Sequence, residues 1–328
     1  MYRFNEERNV EKICYEQKHI IKVLDLIKNN FTNYFFEFLS SEAKHGITEQ
    51  KIKSIASSLG IESNIKQNSK NKPQKLKNIL TQGIIDFEKD RKKYLDIFDK
   101  DALMEYQDDP ASFKSKTLRH ECPIINSTLQ NIRAKALDKY RRDYNLADAH
   151  ELLSVVTNLY NFAENYISNI YNPESYNNID NLAGLFFSEL DTESCTVYGV
   201  IGGGIKSQIL YKLHPSAFPN RSRMAIWALW YLTGKESIDC KMDSEFLMID
   251  IKESITQQNY FYPYELFAFY AHQIFQLLRK ESELLEVNID PEYRYVIVDS
   301  FLTYIAESHN SEIDLLMSQI KDSDNGYE

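Results

Sequence analysis

Residues that interrupt regular secondary structure are scarce in this chain. Its 328 residues include only 10 glycines and 8 prolines, against 22 tyrosines and 18 phenylalanines. Apolar residues recur at the spacing of one helix face over long stretches, most clearly in residues 10–39. Because few glycines or prolines stand in the way, these stretches can continue as helices. The sequence therefore predicts a mainly α, multi-helical fold rather than a sandwich or a barrel.

Residues 171–178 predict a linker. Their sequence is Tyr-Asn-Pro-Glu-Ser-Tyr-Asn-Asn, and Pro, Ser and paired Asn all oppose the continuation of a helix. We therefore expect a helical N-terminal domain over residues 1–175 and a C-terminal domain over residues 176–328. In the first domain, further helices are predicted for residues 48–59, 79–98 and 124–171, the last with an interruption near residues 142–145.

The C-terminal domain is expected to be helical with one small β-hairpin. Residues 246–251, Phe-Leu-Met-Ile-Asp-Ile, are the best strand candidate in the chain. Residues 222–233 have no polar face, which predicts a buried helix. Further helices are predicted for residues 179–190, 205–213, 264–280 and 293–309.

Composition argues against several classes of protein. The net charge of −10 argues against wholesale nonspecific binding of nucleic acid or anionic membrane, so any polyanion site must be a local patch. The longest strongly apolar run, residues 224–232, is far too short to span a bilayer, and the charged N-terminal residues do not resemble a signal peptide. The four cysteines form no Cys-x-x-Cys pair, which favours a reduced, cytoplasmic protein without a disulfide framework.

Residues 194–235, called here the acid-free segment, contain no Asp or Glu although the chain has 48 such residues. The segment carries basic side chains, a Gly-Gly-Gly sequence and both tryptophans. A basic strip in an acidic protein predicts a surface kept clear for an anionic partner. Residues 64–85 also lack acids and are rich in lysine. We interpret them as a solvated loop, with a flexible basic arm that touches phosphates as the alternative.

Within the acid-free segment, residues 201–207 have the sequence Ile-Gly-Gly-Gly-Ile-Lys-Ser, and apolar residues follow at 209 and 210. This run resembles the helix–hairpin–helix motif of the DNA glycosylases. The resemblance extends to Phe218-Pro219, because in that family an apolar residue and a proline come shortly after the second helix of the motif.

The resemblance implies a tight hairpin in which the N–H groups that open the second helix hold a DNA phosphate. Lys206 falls where the bifunctional glycosylases carry their Schiff-base lysine. Arg221 stands where the family's catalytic aspartate is expected, so the resemblance does not extend to base-excision chemistry. The residues predicted to contact nucleic acid in this hairpin are Gly202, Gly204, Lys206 and Ser207.

Arg221 and Arg223 lie in the opening turn of the predicted buried helix. Cations at a helix N-terminus oppose the macrodipole, at a cost of a few tenths of a kcal/mol. Such arginines are therefore aimed at an anion or paired with acids from elsewhere in the chain. We predict that both contact phosphates, and ion pairs with acids of the N-terminal half remain the alternative.

Asp239, Asp250 and Lys252 resemble the local signature of the PD-(D/E)xK nucleases. That signature places an acid on one strand and an acid-x-Lys triplet at the end of the next. Residues that are two positions apart on a strand share one face of the sheet, so the side chains of Asp250 and Lys252 would point the same way. The resemblance implies that Asp239 and Asp250 hold Mg²⁺ while Lys252 polarises the attacking water. A short surface hairpin with charged ends is the alternative.

These observations favour a nucleic-acid (DNA) binding protein that uses a basic helix–hairpin–helix-like patch, with Mg²⁺-dependent nuclease activity as an optional addition. The alternative is a non-enzymatic helical interaction module, whose basic strip docks against an acidic protein surface. The sequence does not distinguish DNA from RNA.

Overall fold

The computed structural model describes residues 10–41, 72–134, 137–240, 244–250 and 255–318. Over these residues the protein is mainly α-helical, and the one sheet is a two-stranded antiparallel hairpin. The predicted fold, many helices with one small hairpin, is confirmed. None of the helices in these ranges is long and apolar enough to cross a membrane.

The elements are named here in chain order. The helices of the first half are α1 Val10–Ile13, α2 Gln17–Ser40, α3 Lys72–Ile97, α4 Lys100–Glu105, α5 Pro110–Ser112, α6 Pro123–Gln130, α7 Asp138–Leu146 and α8 Ala149–Asn169, with a π-helical segment at Phe113–Glu121. Then follow α9 Pro173–Tyr176, α10 Gly203–Leu213, α11 Arg223–Leu232, β1 Leu247–Asp250, β2 Ile255–Gln258, α12 Tyr264–Leu284, α13 Arg294–Ser308 and α14 Asn310–Ser318. Short 3₁₀ turns lie at Leu182–Leu185, Ser188–Asp191, Glu193–Cys195 and Pro291–Tyr293.

The chain folds into two compact units, and each unit is built from segments that are distant in sequence. The first takes its described residues from Met1–Ser41, Ser222–Tyr262 and Asp299–Glu328, and the second from Glu42–Arg221 and Pro263–Val298. Residues 175 and 176, between which the sequence predicts a domain boundary, both lie in the second unit.

Aromatic packing dominates the core of the first unit. The Phe301 ring lies 5.4 Å from the ring centroids of both Phe31 and Phe38, which are on α2. Helix α11 packs on α2, and its residues 225–232 are all buried, as its lack of a polar face predicts. Strands β1 and β2 pair in antiparallel register from Leu247 opposite Gln258 to Asp250 opposite Ile255.

In the second unit, α10 packs against α3, α6 and α8. A fully buried arginine, Arg294, fixes the segment that follows α10. Its guanidinium donates to the Ser216 carbonyl at 2.5 Å and to Asn177 Oδ1 at 2.8 Å, and it lies 4.6 Å from the Tyr176 ring centroid. The buried cation is tolerated because the Ser216 carbonyl and Asn177 Oδ1 accept its hydrogen bonds and the Tyr176 ring makes a cation–π contact with it.

Side-chain caps explain where several helices begin. Asp99, Asp148, Asn172 and Ser222 each accept a hydrogen bond from an amide in the first turn that follows. Helix α12 is capped from a distance, because the Asp191 carboxylate accepts from the amides of Tyr264 and Glu265 at 2.8 and 3.0 Å.

Several secondary-structure predictions are wrong. Residues 72–78, which precede the helix predicted from residue 79 and whose composition predicts a loop, form the start of α3. The interruption predicted near residues 142–145 lies instead at residues 147–148, where Asp148 caps α8. Residues 179–190, predicted as a helix, form 3₁₀ turns, because Phe186 adopts a left-handed φ of 57° that ends the first turn. The predicted helix at 48–59 and the basic residues 64–71 lie outside the described residues.

Candidate functional site

The Gly-rich run begins with a sharp turn, residues 197–201, that leads through Gly202 directly into α10. An isolated antiparallel bridge between Val197 and Ile201 closes the turn. Gly199 has a φ of 78°, a conformation that costs a glycine little and other residues much. The element before this turn is the 3₁₀ turn Glu193–Cys195, rather than the α-helix of a complete helix–hairpin–helix. A glycine turn followed by a helix is what the structure shows here.

The N-terminus of α10 is open. Gly202 occupies the N-cap position, where it has no side chain to accept a hydrogen bond, and the first turn holds no acidic residue. No described residue accepts a hydrogen bond from the amides of Gly203, Gly204 or Ile205. Gly202 and Gly204 are exposed. An anion can therefore reach donors that the fold leaves uncapped.

The guanidinium of Arg221 lies against this first turn. A Cβ added at Gly203 would fall 2.5 Å from Nη1 and 2.9 Å from Cζ of Arg221. The backbone amide of Arg221 donates to Ser207 Oγ at 2.9 Å, which ties the two segments together. Arg221 is only 3% exposed and Ser207 is fully buried. The glycine at 203 is therefore required for the close approach of a buried arginine, independently of any ligand.

Lys206 is buried one turn into α10, with 3% of its surface exposed. Its ammonium donates to the Leu190 carbonyl and, at 3.2 Å, to Thr196 Oγ1. Burial lowers the pKa of Lys206, the nearby Asp191 carboxylate opposes that shift, and Arg221 adds to it. The lysine is held by internal acceptors, so its side chain supplies positive potential behind the turn rather than a contact at the surface.

One carboxylate also lies at the turn. Asp143 approaches Gly199 so closely that a Cβ at that glycine would collide with Oδ2 and Cγ of the aspartate. Asp143 forms an ion pair with Lys139 one helical turn earlier on α7. Its charge is therefore partly compensated at the end of the turn opposite to the α10 amides.

The acid-free segment predicts an exposed basic strip, and this prediction is wrong for three of its basic residues, which are buried: Lys206, Lys212 and Arg221. Besides Lys206 and Arg221, Lys212 is 5% exposed and forms an ion pair with Asp90 at 2.6 Å. Lys235 pairs with Glu312 at 2.6 Å. Arg223, at the first position of α11, and Lys235 are exposed. Lys212 and Lys235 thus pair with acids from distant parts of the chain. Ion pairing of Arg221 and Arg223 with acids of the N-terminal half, the alternative that the sequence leaves open, stays a prediction.

The described residues include only part of the predicted nuclease site. Asp239 is half exposed and pairs with Lys22 of α2 at 2.5 Å. Hydrogen bonding to Lys22 lowers the pKa of Asp239. Asp250 is the last residue of β1, and Lys252 lies outside the described residues. The acid-x-Lys triplet on one strand, which the nuclease resemblance requires, therefore stays a prediction.

The structure brings together three potential metal ligands that the sequence did not indicate. One donor atom from each of His19, Cys240 and Glu245 lies within 4.8 Å of the others, and all three residues are buried. His19 and Glu245 are 226 positions apart, and Cys240 and Glu245 do not match a recognised metal-binding spacing. No signal in the sequence could have identified this cluster.

Comparison of the chain with models of protein families, with curated proteins and with solved structures gave no match in any of the three.

Proposed function

We propose that this protein binds nucleic acid, and that a backbone phosphate docks at the N-terminus of α10. The observation that carries the proposal is the open first turn of that helix, whose amides at residues 203–205 have no acceptor among the described residues. Backbone amides at a helix N-terminus form a preorganised anion site, since their dipoles point at the ligand and need no side chain.

The surroundings of the turn support an anion there. Arg221 packs on Gly203 and Lys206 is held one turn deeper, so two cations stand behind amides that are already electropositive. Both oppose the helix dipole, a cost that a bound phosphate would offset. Among anions, the resemblance of residues 201–207 to the helix–hairpin–helix favours a nucleic-acid phosphate. In this proposal Gly202 and Gly204 admit the phosphate, whereas Lys206 and Ser207 position the turn.

The decisive experiment places a charge at the turn without disturbing it. A Cβ at Gly204 would meet only the Arg221 carbonyl oxygen at 3.8 Å, so the position accepts a side chain. Gly204→Glu puts a carboxylate in the first helical turn, where it favours the helix but repels a phosphate. Gly204→Gln is the matched neutral control. Duplex DNA affinity should fall about tenfold in Gly204→Glu relative to Gly204→Gln, roughly 1.4 kcal/mol, while thermal stability is kept.

The salt dependence of binding gives an independent measurement. The slope of log affinity against log salt should be steep for the natural chain and should fall by about one in Gly204→Glu. Arg223→Ala tests the exposed arginine of α11 in the same assay. Equal affinities of Gly204→Glu and Gly204→Gln would remove the α10 terminus from the interface. Absence of DNA binding at low salt would favour the non-enzymatic protein-interaction alternative.

Metal-dependent cleavage is a separate prediction. It requires that Mg²⁺-dependent cutting of bound DNA be abolished by Asp250→Ala, with Asp239→Ala as a second variant. Retained cleavage in both variants would eliminate the assignment of these carboxylates.

A further inference from the structure

We propose that His19, Cys240 and Glu245 form a zinc site within the first unit, called here the His–Cys–Glu cluster. The three residues come from the first turn of α2 and from the two sides of residues 241–243. Imidazole nitrogen, thiolate sulfur and carboxylate oxygen are the three protein donors that zinc uses, and a mixed set of this kind favours zinc over magnesium or calcium.

The distances fit a metal ion with little rearrangement. His19 Nε2 lies 3.0 Å from Glu245 Oε1, and the donor atoms of all three residues lie within 4.8 Å of one another. Around a tetrahedral zinc ion with bonds of about 2.0–2.3 Å, neighbouring donors are roughly 3.3–3.7 Å apart. Side-chain rotations that move the donors by about 1 Å would therefore bring all three to bonding distance, with the fourth position of the tetrahedron open to a water molecule.

Burial and hydrogen bonding point to the same conclusion. His19 and Glu245 are 1% and 0% exposed, yet His19 Nδ1 and Glu245 Oε2 have no hydrogen-bond partner in the described structure. A buried carboxylate with an unsatisfied oxygen is expensive, because burial removes the water that would otherwise solvate it. A bound cation would neutralise the carboxylate and take up a donor atom that the protein leaves unused.

One cation of α2 pairs outside the cluster. Lys22, one turn after His19 on α2, is directed to Asp239 at 2.5 Å rather than to Glu245. Asp239, which the sequence indicated as a metal ligand, is thus paired, while the adjacent Cys240 lies in the cluster. A zinc ion there would join the start of α2 to the segment that leads into β1, a structural role that does not depend on nucleic-acid binding.

The test is metal analysis of the full-length chain. Protein produced with added zinc and then dialysed should retain about one zinc per chain, and the isosteric variant Cys240→Ser should retain less than about a tenth of that. Cys195→Ser is the matched control, because Cys195 is also buried but lies outside the cluster; it should keep its zinc. Removal of the metal with a chelator should lower the Tm of the natural chain and leave that of Cys240→Ser unchanged.

Cobalt substitution separates loss of a ligand from loss of the fold. Co²⁺ added to metal-free protein should give a thiolate-to-cobalt charge-transfer band, which Cys240→Ser abolishes and Cys195→Ser keeps, with the far-ultraviolet circular dichroism of both variants unchanged. A chain that stays metal-free and shows no thiolate band, or a band of full intensity in Cys240→Ser, would overturn the assignment.

Discussion

The contact between Gly203 and Arg221 gives the sharpest test of how the glycine turn is built. In Gly203→Ala the new methyl group would lie 2.5 Å from Nη1 and 3.3 Å from Cδ of the arginine, distances that require Arg221 to move. Arg221 is 3% exposed, so its guanidinium cannot relieve the clash by turning into solvent. Overpacking of this kind costs about 1–3 kcal/mol, and replacement of a helical glycine by alanine returns about 0.4–1 kcal/mol.

Gly203→Ala should therefore lower the free energy of unfolding by about 1–2 kcal/mol in urea denaturation, with no change in m-value. Gly204→Ala is the matched control, because a Cβ there meets a single atom at 3.8 Å; it should raise the free energy of unfolding by about 0.4–1 kcal/mol. In a Gly203→Ala chain, Arg221→Lys removes Nη1, the atom of the closest contact, so the double variant should be more stable than additivity predicts. Equal stabilities of the two alanine variants, or strict additivity in the cycle, would show that Arg221 does not require a glycine at 203.

Three further predictions concern charged and aromatic contacts. Asp90→Asn should cost about 1–2 kcal/mol of unfolding free energy in urea denaturation, because it leaves the buried Lys212 ammonium, now 2.6 Å from the carboxylate, without its counter-charge. Burial, followed by the charge of Arg294, lowers the pKa of His272 to about 3. Below about pH 6.5 the unfolded chain therefore binds a proton on this histidine while the folded chain keeps it neutral, so the free energy of unfolding falls as the pH drops. His272→Gln should remove about 2 kcal/mol of the loss between pH 6.5 and 5, measured by urea denaturation at both pH values. His309→Ala should cost about 1 kcal/mol beyond its loss of buried area, because its ring stacks on Tyr231 with centroids 3.8 Å apart; a double-mutant cycle with Tyr231→Leu measures that term.

The features that could be predicted from the sequence are those with a local cause. The pattern of apolar residues predicts α2, α11, α12 and α13, because a stretch of a few helical turns contains enough sequence to show which residues will be buried. The strand at 246–251 is also correct to within a residue or two at each end, since β-branched and aromatic residues are grouped there. The fold class follows from these elements without any long-range information.

The errors arise where capping or distant packing decides the local structure. Residues 72–78 look like a solvated loop in composition, yet Leu76 is buried on α3 and stabilises this first part of the helix. The break after α7 depends on the cap at Asp148, which is a single residue and a weak signal in a charged sequence. The His–Cys–Glu cluster likewise exists only because the fold brings the first turn of α2 beside Cys240 and Glu245.

The acid-free segment shows why charge along a sequence is a poor measure of charge at a surface. Lys206 and Lys212 lie on α10 but donate to the carbonyls of Leu190 and Phe87, acceptors whose presence no composition can reveal. Absence of nearby acids thus reflects, in part, cations satisfied by main-chain oxygens in a crowded core. The main-chain amides that open α10 differ from these side chains. These amides are fixed by the backbone, and no described group accepts a hydrogen bond from them. The N-terminus of α10 therefore keeps its positive potential whatever the lysine side chains contact. That distinction moves the predicted phosphate contact from the side chains of the segment to its backbone.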